Sequence, residues 1–222
     1  MDAASNTKTD TSRRHNLDPY DSLVAALTLL FEHSPLIGSH LAPQIIPSLY
    51  TEINDYNALL SRAIQVIGSW PVQLKATFIA AHPRIGETKN LSALSAAEQQ
   101  QSPPSQAQQP KTSPEVLEAL RILNECYEIK YQGLVYITFV NGRSRSEVAE
   151  EMRLKLGVEG VQGDQDKIRA AEKVGKESEE WIQELDRAVR DVGLIASSRL
   201  DKIPRTSLAL PFTRSHDRVS AE

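Results

Sequence analysis

Cysteine occurs once in this chain, at Cys126, so no internal disulfide can form. The flanking RILNECYEIKY reads as helix, which makes the thiol a small buried hydrophobe in a reducing compartment. No apolar run reaches the ~18 residues a membrane span requires. The opening stretch MDAASNTKTDTSRR lacks the apolar centre of a signal peptide. The expectation is a soluble intracellular protein, cytoplasmic by default. Ser220-Ala221-Glu222 is not a peroxisomal tripeptide of the Ser-Lys-Leu type, so a peroxisomal location would need another signal. Basic charge is not in excess either. With a net charge of -4 and a sequence pI of about 5.8, no general field draws the chain to nucleic acid or an anionic membrane. A small-molecule or protein partner is expected instead. The five histidines, His15, His33, His40, His82 and His216, are scattered, with no H-x-x-x-H or Cys/His ligand spacing that would imply a metal. The glycine-rich GVEGVQGDQD at 157–166 lacks the Gly-Lys-Ser/Thr ending of a phosphate loop, and nothing in it argues for nucleotide.

What is present is helical periodicity. At 222 residues the chain suits one core. From Pro19 to His33 the apolar residues Leu23, Ala26, Leu27, Leu30 and Phe31 recur at three and four. After a loop containing Pro43 and Pro47, a second pattern runs from about Asp55 to Ile67. A third helix opens at Pro71 and carries Leu74, Phe78 and His82 at i, i+4 and i+8, which sets the histidine on or beside the apolar stripe. Ser95 opens a short fourth. Ser113 caps a fifth from Pro114 to about Tyr131, and Ser144 with Glu147 forms a capping box for a helix to about Leu156. The last and longest is expected from about Gln165 to Ile203. Residues 1–17 and 204–222 read as loose tails, and the Gln, Ser and Pro stretch at 100–113 as an exposed insertion. Leu134 to Val140 (LVYITFV) has strand propensity but no second run to pair with, so it is expected as an extended segment buried between helices. The fold class is all-α: a single-domain helical bundle with a long C-terminal helix and that one extended segment.

Several polar residues sit where chemistry would need them, and each also has a plain structural explanation. Arg199 continues the stripe Trp181, Leu185, Val189, Val192, Ala196 of the last helix, where a guanidinium needs a carboxylate, carbonyls or an anionic ligand. It could equally snorkel at the helix end. His82 could simply cap helix carbonyls. Ser95-x-x-Glu98 is by itself a capping box, and the neighbouring Gln99 adds an amide that both donates and accepts.

Their order carries more than any one of them. His82-Pro83, Ser95-x-x-Glu98-Gln99, Asn124-x-x-Tyr127-x-x-Lys130 and Arg199-Leu200 follow one another, after an opening Phe31-Glu32-x-Ser34-Pro35. This series resembles the 2-oxo-4-hydroxy-4-carboxy-5-ureidoimidazoline (OHCU) decarboxylase family over roughly Pro19 to Ile203. Some positions depart from the family pattern. Its Phe-Gly-Phe/His-Pro-Phe segment aligns with Tyr131-Gln132-Gly133-Leu134-Val135, and the Arg-Leu that ends its penultimate helix appears as Lys155-Leu156. The resemblance implies a carboxy-lyase of urate degradation that makes (S)-allantoin without a cofactor or metal. It also suggests a homodimer. It implies His82, Glu98 and Arg199 as catalytic residues. Pro83, Ser95, Gln99 and the segment around Val135 and Tyr136 would bind substrate. The competing expectation is a non-catalytic helical protein that keeps the fold and binds something else in an altered pocket.

Overall fold

Asp18 starts the first helix: its carboxylate accepts the Tyr20 N–H at 2.8 Å, and Pro19 occupies the first turn, where a missing N–H is harmless. The computed structural model describes residues 18–87, 112–158 and 173–203. The expected tails at 1–17 and 204–222, most of the 100–113 insertion and most of the 157–166 loop lie outside the described residues.

Among the described residues the α-helices are α1 (Pro19–Phe31), α2 (Ala42–Ile45), α3 (Tyr56–Ser69), α4 (Val72–Ala80), α5 (Pro114–Lys130), α6 (Arg145–Leu156) and α7 (Glu179–Lys202). None of the described residues forms a strand, and the all-α expectation holds. The caps read from sequence hold as well. Ser113 accepts the Val116 N–H, and Ser144 and Glu147 form the reciprocal box at the start of α6. Gly157, at φ 67°, ends that helix in the left-handed conformation glycine favours.

Two stretches differ from expectation. The loop expected around Pro43 and Pro47 is a continuous coil of short turns: a π turn (Ile37–Leu41), α2, and a 3₁₀ turn (Ile46–Ser48). Each proline falls in the first turn of its element, where it breaks no hydrogen bond. The last helix begins at Glu179 rather than near Gln165. Ser178 accepts the Trp181 N–H at 3.4 Å, and Glu177 adopts φ 66°, which an α-helix cannot continue through.

Helix α7 packs against α1, α3 and α4, while α5 packs on α6. The buried ring of Phe78 joins these layers, meeting Phe31, Trp70 and His82 edge-on at 6.3, 5.6 and 5.1 Å between centroids. Cys126 is buried, its thiol donates to the Ile122 carbonyl, and burial pushes its pKa up to about 11, so it stays an unreactive thiol. Gly86 takes φ 84° and lies so close to α5 that a Cβ would come 2.9 Å from Leu120 Cδ1. Gly86→Ala should therefore lower the unfolding free energy by more than ~1 kcal/mol, read by urea titration. An unchanged midpoint would show that the turn relaxes freely.

Candidate functional site

The segment Leu134–Val140 is neither helix nor strand and has no strand partner among the described residues; side chains tie it down instead. Arg187 Nη1 donates to the Ile137 carbonyl at 2.7 Å, and Asp191 Oδ2 accepts the Phe139 N–H at 3.4 Å. Arg143 donates to the carbonyls of Phe139 and Val140 and to Thr138 Oγ1. In an extended chain successive residues turn their main-chain groups to opposite edges. The main-chain N–H and C=O groups of Tyr136 and Thr138, the alternate residues to Ile137 and Phe139, form no hydrogen bond among the described residues, and both residues line the cavity described below.

A buried carboxylate anchors this arrangement. Glu184, 5% exposed, accepts the Tyr127 hydroxyl at 2.7 Å, a fork from Arg187 at 3.0 and 2.7 Å, and the Lys155 ammonium at 2.6 Å. These donors hold its carboxyl below the usual range against the desolvation that would raise it. Lys155, standing where the resemblance has arginine, makes this ionic contact with a single donor group.

Behind the extended segment lies a cavity of about 240 Å³, closed by the end of α1, the turn after α4 and the C-terminal half of α7. His82, Pro83, Tyr136 and Arg199 all line it, so the structure brings together four of the residues expected at the site. Val135 lines a neighbouring open depression that His82 also borders. Ser95, Glu98 and Gln99 lie outside the described residues.

Arg199 is only 3% exposed. Its Nη2 sits 2.6 Å from Glu32 Oε1, and its Nη1 donates to the Leu30 carbonyl at 3.1 Å. Glu32, quoted in the opening motif but given no role from the sequence, is the further charged residue of the site. It ends α1 with φ 67° and ψ 171°, a region that residues other than glycine rarely enter. That backbone swings its carboxylate off the helix path and into the cavity wall. Strain of this kind persists where surrounding contacts over-determine it, and here the buried guanidinium supplies one.

His82 follows the last turn of α4, with its N–H donating to the Ile79 carbonyl at 3.1 Å. Its Nδ1 lies 2.9 Å from the Phe78 carbonyl, which can only accept, so Nδ1 carries the proton. Nε2 is left with its lone pair. Burial lowers the imidazole pKa, the positive charge of Arg199 adds to that, and the Phe78 contact and Glu32 oppose it. The ring is therefore neutral at pH 7 and able to take a proton.

Among the described residues no group of three His, Cys, Asp or Glu side chains gathers closely enough to hold a metal ion. No described helix is long and apolar enough to cross a membrane. A search of curated proteins finds no match to the chain. The family model for OHCU decarboxylase matches residues 16–176, which takes in the turn bearing His82 and the whole extended segment but stops short of α7. With the match running over most of the sequence, and with the histidine and the extended wall that it spans meeting at one cavity, the chain belongs to the OHCU decarboxylase family.

Proposed function

We propose that this protein decarboxylates 2-oxo-4-hydroxy-4-carboxy-5-ureidoimidazoline to (S)-allantoin without a cofactor. The observation that carries the reading is one small cavity shared by a neutral imidazole, a buried guanidinium and main-chain groups that have no hydrogen-bond partner among the described residues. Loss of carbon dioxide breaks a C–C bond and sends its electron pair into the ring. Arg199 would answer that need: its guanidinium, held by Glu32 and the Leu30 carbonyl and lining the cavity, supplies a fixed positive charge for the ring oxygen on which charge gathers. His82 Nε2 takes the proton of the substrate 4-hydroxyl, whose oxygen becomes a ring carbonyl, and delivers it to the ring carbon from one face, which sets the handedness of the product, while the negative charge left in the ring is neutralised by a proton from water. Because a carboxylate leaves as neutral carbon dioxide, one proton is consumed per turnover. The main-chain N–H and C=O groups of Tyr136 and Thr138 suit the edge of a flat, amide-rich ligand, with Pro83 packing beside it. Glu98 would orient His82 or the ureido group, and Ser95 and Gln99 would hold ring amides. These three roles rest on the resemblance.

The test is direct. Urate is converted with uricase and hydroxyisourate hydrolase, the protein is added, and optically active allantoin is followed by circular dichroism. Formation faster than the spontaneous reaction and of one hand is expected; the spontaneous rate with racemic product would remove the enzyme reading. Clear thermal stabilisation by allantoin, in a protein without turnover, would favour a binding protein instead. The pH dependence follows from the lowered imidazole pKa. Only neutral His82 accepts the proton, so kcat/KM should be level near pH 7 and fall as pH drops through a midpoint below the usual ~6.5 of histidine. A midpoint above that value would take His82 out of this role.

A further inference from the structure

Charge on the cavity wall is unevenly partnered. Of the residues that line it, Glu32, Arg199 and Lys202 carry formal charge, and His82 is neutral. Glu32 and Arg199 neutralise one another in a buried ion pair. Lys202 has no carboxylate or other hydrogen-bond partner among the described residues, and it is exposed at the mouth. Ser198 stands four residues earlier, one helical turn away on the same face of α7, and also lines the cavity. Its hydroxyl likewise has no partner among the described residues, unlike that of Ser197, which donates to the Gly193 carbonyl at 3.0 Å.

We propose that Ser198 and Lys202 form an anion subsite at the mouth of the cavity that receives the substrate carboxylate, separate from the position served by Arg199. The inference rests on the decarboxylase reading above and adds a division of labour to it. In the reaction the carboxylate loses its charge while the ring gains it. A strong, desolvated cation on the carboxylate would stabilise the ground state more than the transition state and slow the step. A solvated ammonium and a hydroxyl at the mouth hold the departing group lightly, whereas the buried guanidinium serves the oxygen where charge accumulates. Lys202 also offsets the negative end of the α7 dipole, which without it would repel an incoming anion.

The experiment compares steady-state kinetics of the full-length wild type, Lys202→Met, Lys202→Arg and Ser198→Ala on enzymatically generated ureidoimidazoline, at low and high sodium chloride. Lys202 is exposed and has no partner among the described residues, so the variants should keep the wild-type melting temperature. Lys202→Met is expected to raise KM about three- to tenfold with kcat unchanged or slightly higher, a size suited to a solvated charge contact. Lys202→Arg should stay near wild type, and Ser198→Ala should raise KM less than Lys202→Met. Added salt should raise KM of the wild type and leave that of Lys202→Met nearly flat. An unchanged KM in Lys202→Met, or a fall in kcat at constant KM, overturns the subsite while leaving the decarboxylase reading intact. A wild type that does not accelerate the reaction removes both.

Discussion

Replacing Arg199 by methionine should lower the unfolding free energy by about 3–5 kcal/mol, because it leaves the Glu32 carboxylate buried without its cation. Glu32 is 9% exposed and Arg199 3%, so water can replace little of what each loses. In a chain of this length the loss corresponds to a fall in melting temperature on the order of 10 °C. The partner variant Glu32→Gln should be costly too, since it removes the carboxylate charge 2.6 Å from the buried guanidinium. The double variant Glu32→Gln/Arg199→Met should be less destabilised than the sum of the two, because the contact between them is then lost only once. Urea unfolding of all four proteins measures the coupling. Additive losses, or an Arg199→Met protein within about 1 kcal/mol of wild type, would mean that the pair is not the organising contact of this wall.

His82→Ala should reduce kcat by about 10²–10⁴ while leaving the helical circular dichroism unchanged. The two expectations separate because of where the residue sits. It lies beyond the last turn of α4 and is half-buried, so its removal costs one edge-on contact with Phe78 and a bond to the Phe78 carbonyl. What it removes from the cavity is the lone pair on Nε2, and no other described lining residue offers a neutral imidazole. Turnover within tenfold of wild type would transfer proton delivery to another group.

Much of this site was legible in the sequence, for a definite reason. An interrupted apolar stripe can be read without knowing the partner, and Arg199 at the end of one stripe and His82 at the end of another both line the cavity. The same rule would have found Glu184, which falls at Trp181 plus three on the stripe of α7 and is as buried as its apolar neighbours. Glu32 was visible as part of the opening motif, but its place in the site was not. It stands one residue past Phe31, off the stripe of α1, and comes to the cavity only because the backbone leaves helical geometry at that residue. Periodicity assumes that the geometry continues, so it fails at an unusual dihedral on a residue other than glycine. The late start of α7 has a similar origin. Ser178 is an ordinary serine until its side chain is seen to accept the Trp181 N–H, and the charges upstream of it suit a helix surface as well as a loop.

One wall of the cavity is made of atoms that every amino acid shares. The peptide groups of Tyr136 and Thr138 have no partner among the described residues, while the fastening is done at Ile137 and Phe139 by Arg187, Asp191 and Arg143. Recognition through the peptide unit does not depend on which side chains a lineage keeps at Tyr131 to Val135. Drift there can rewrite the letters of the segment and leave its hydrogen-bonding face intact, provided the fasteners persist. Selection on this wall should therefore be visible at the helix positions that hold it, 50 residues away along the chain, rather than in the segment that would meet the ligand.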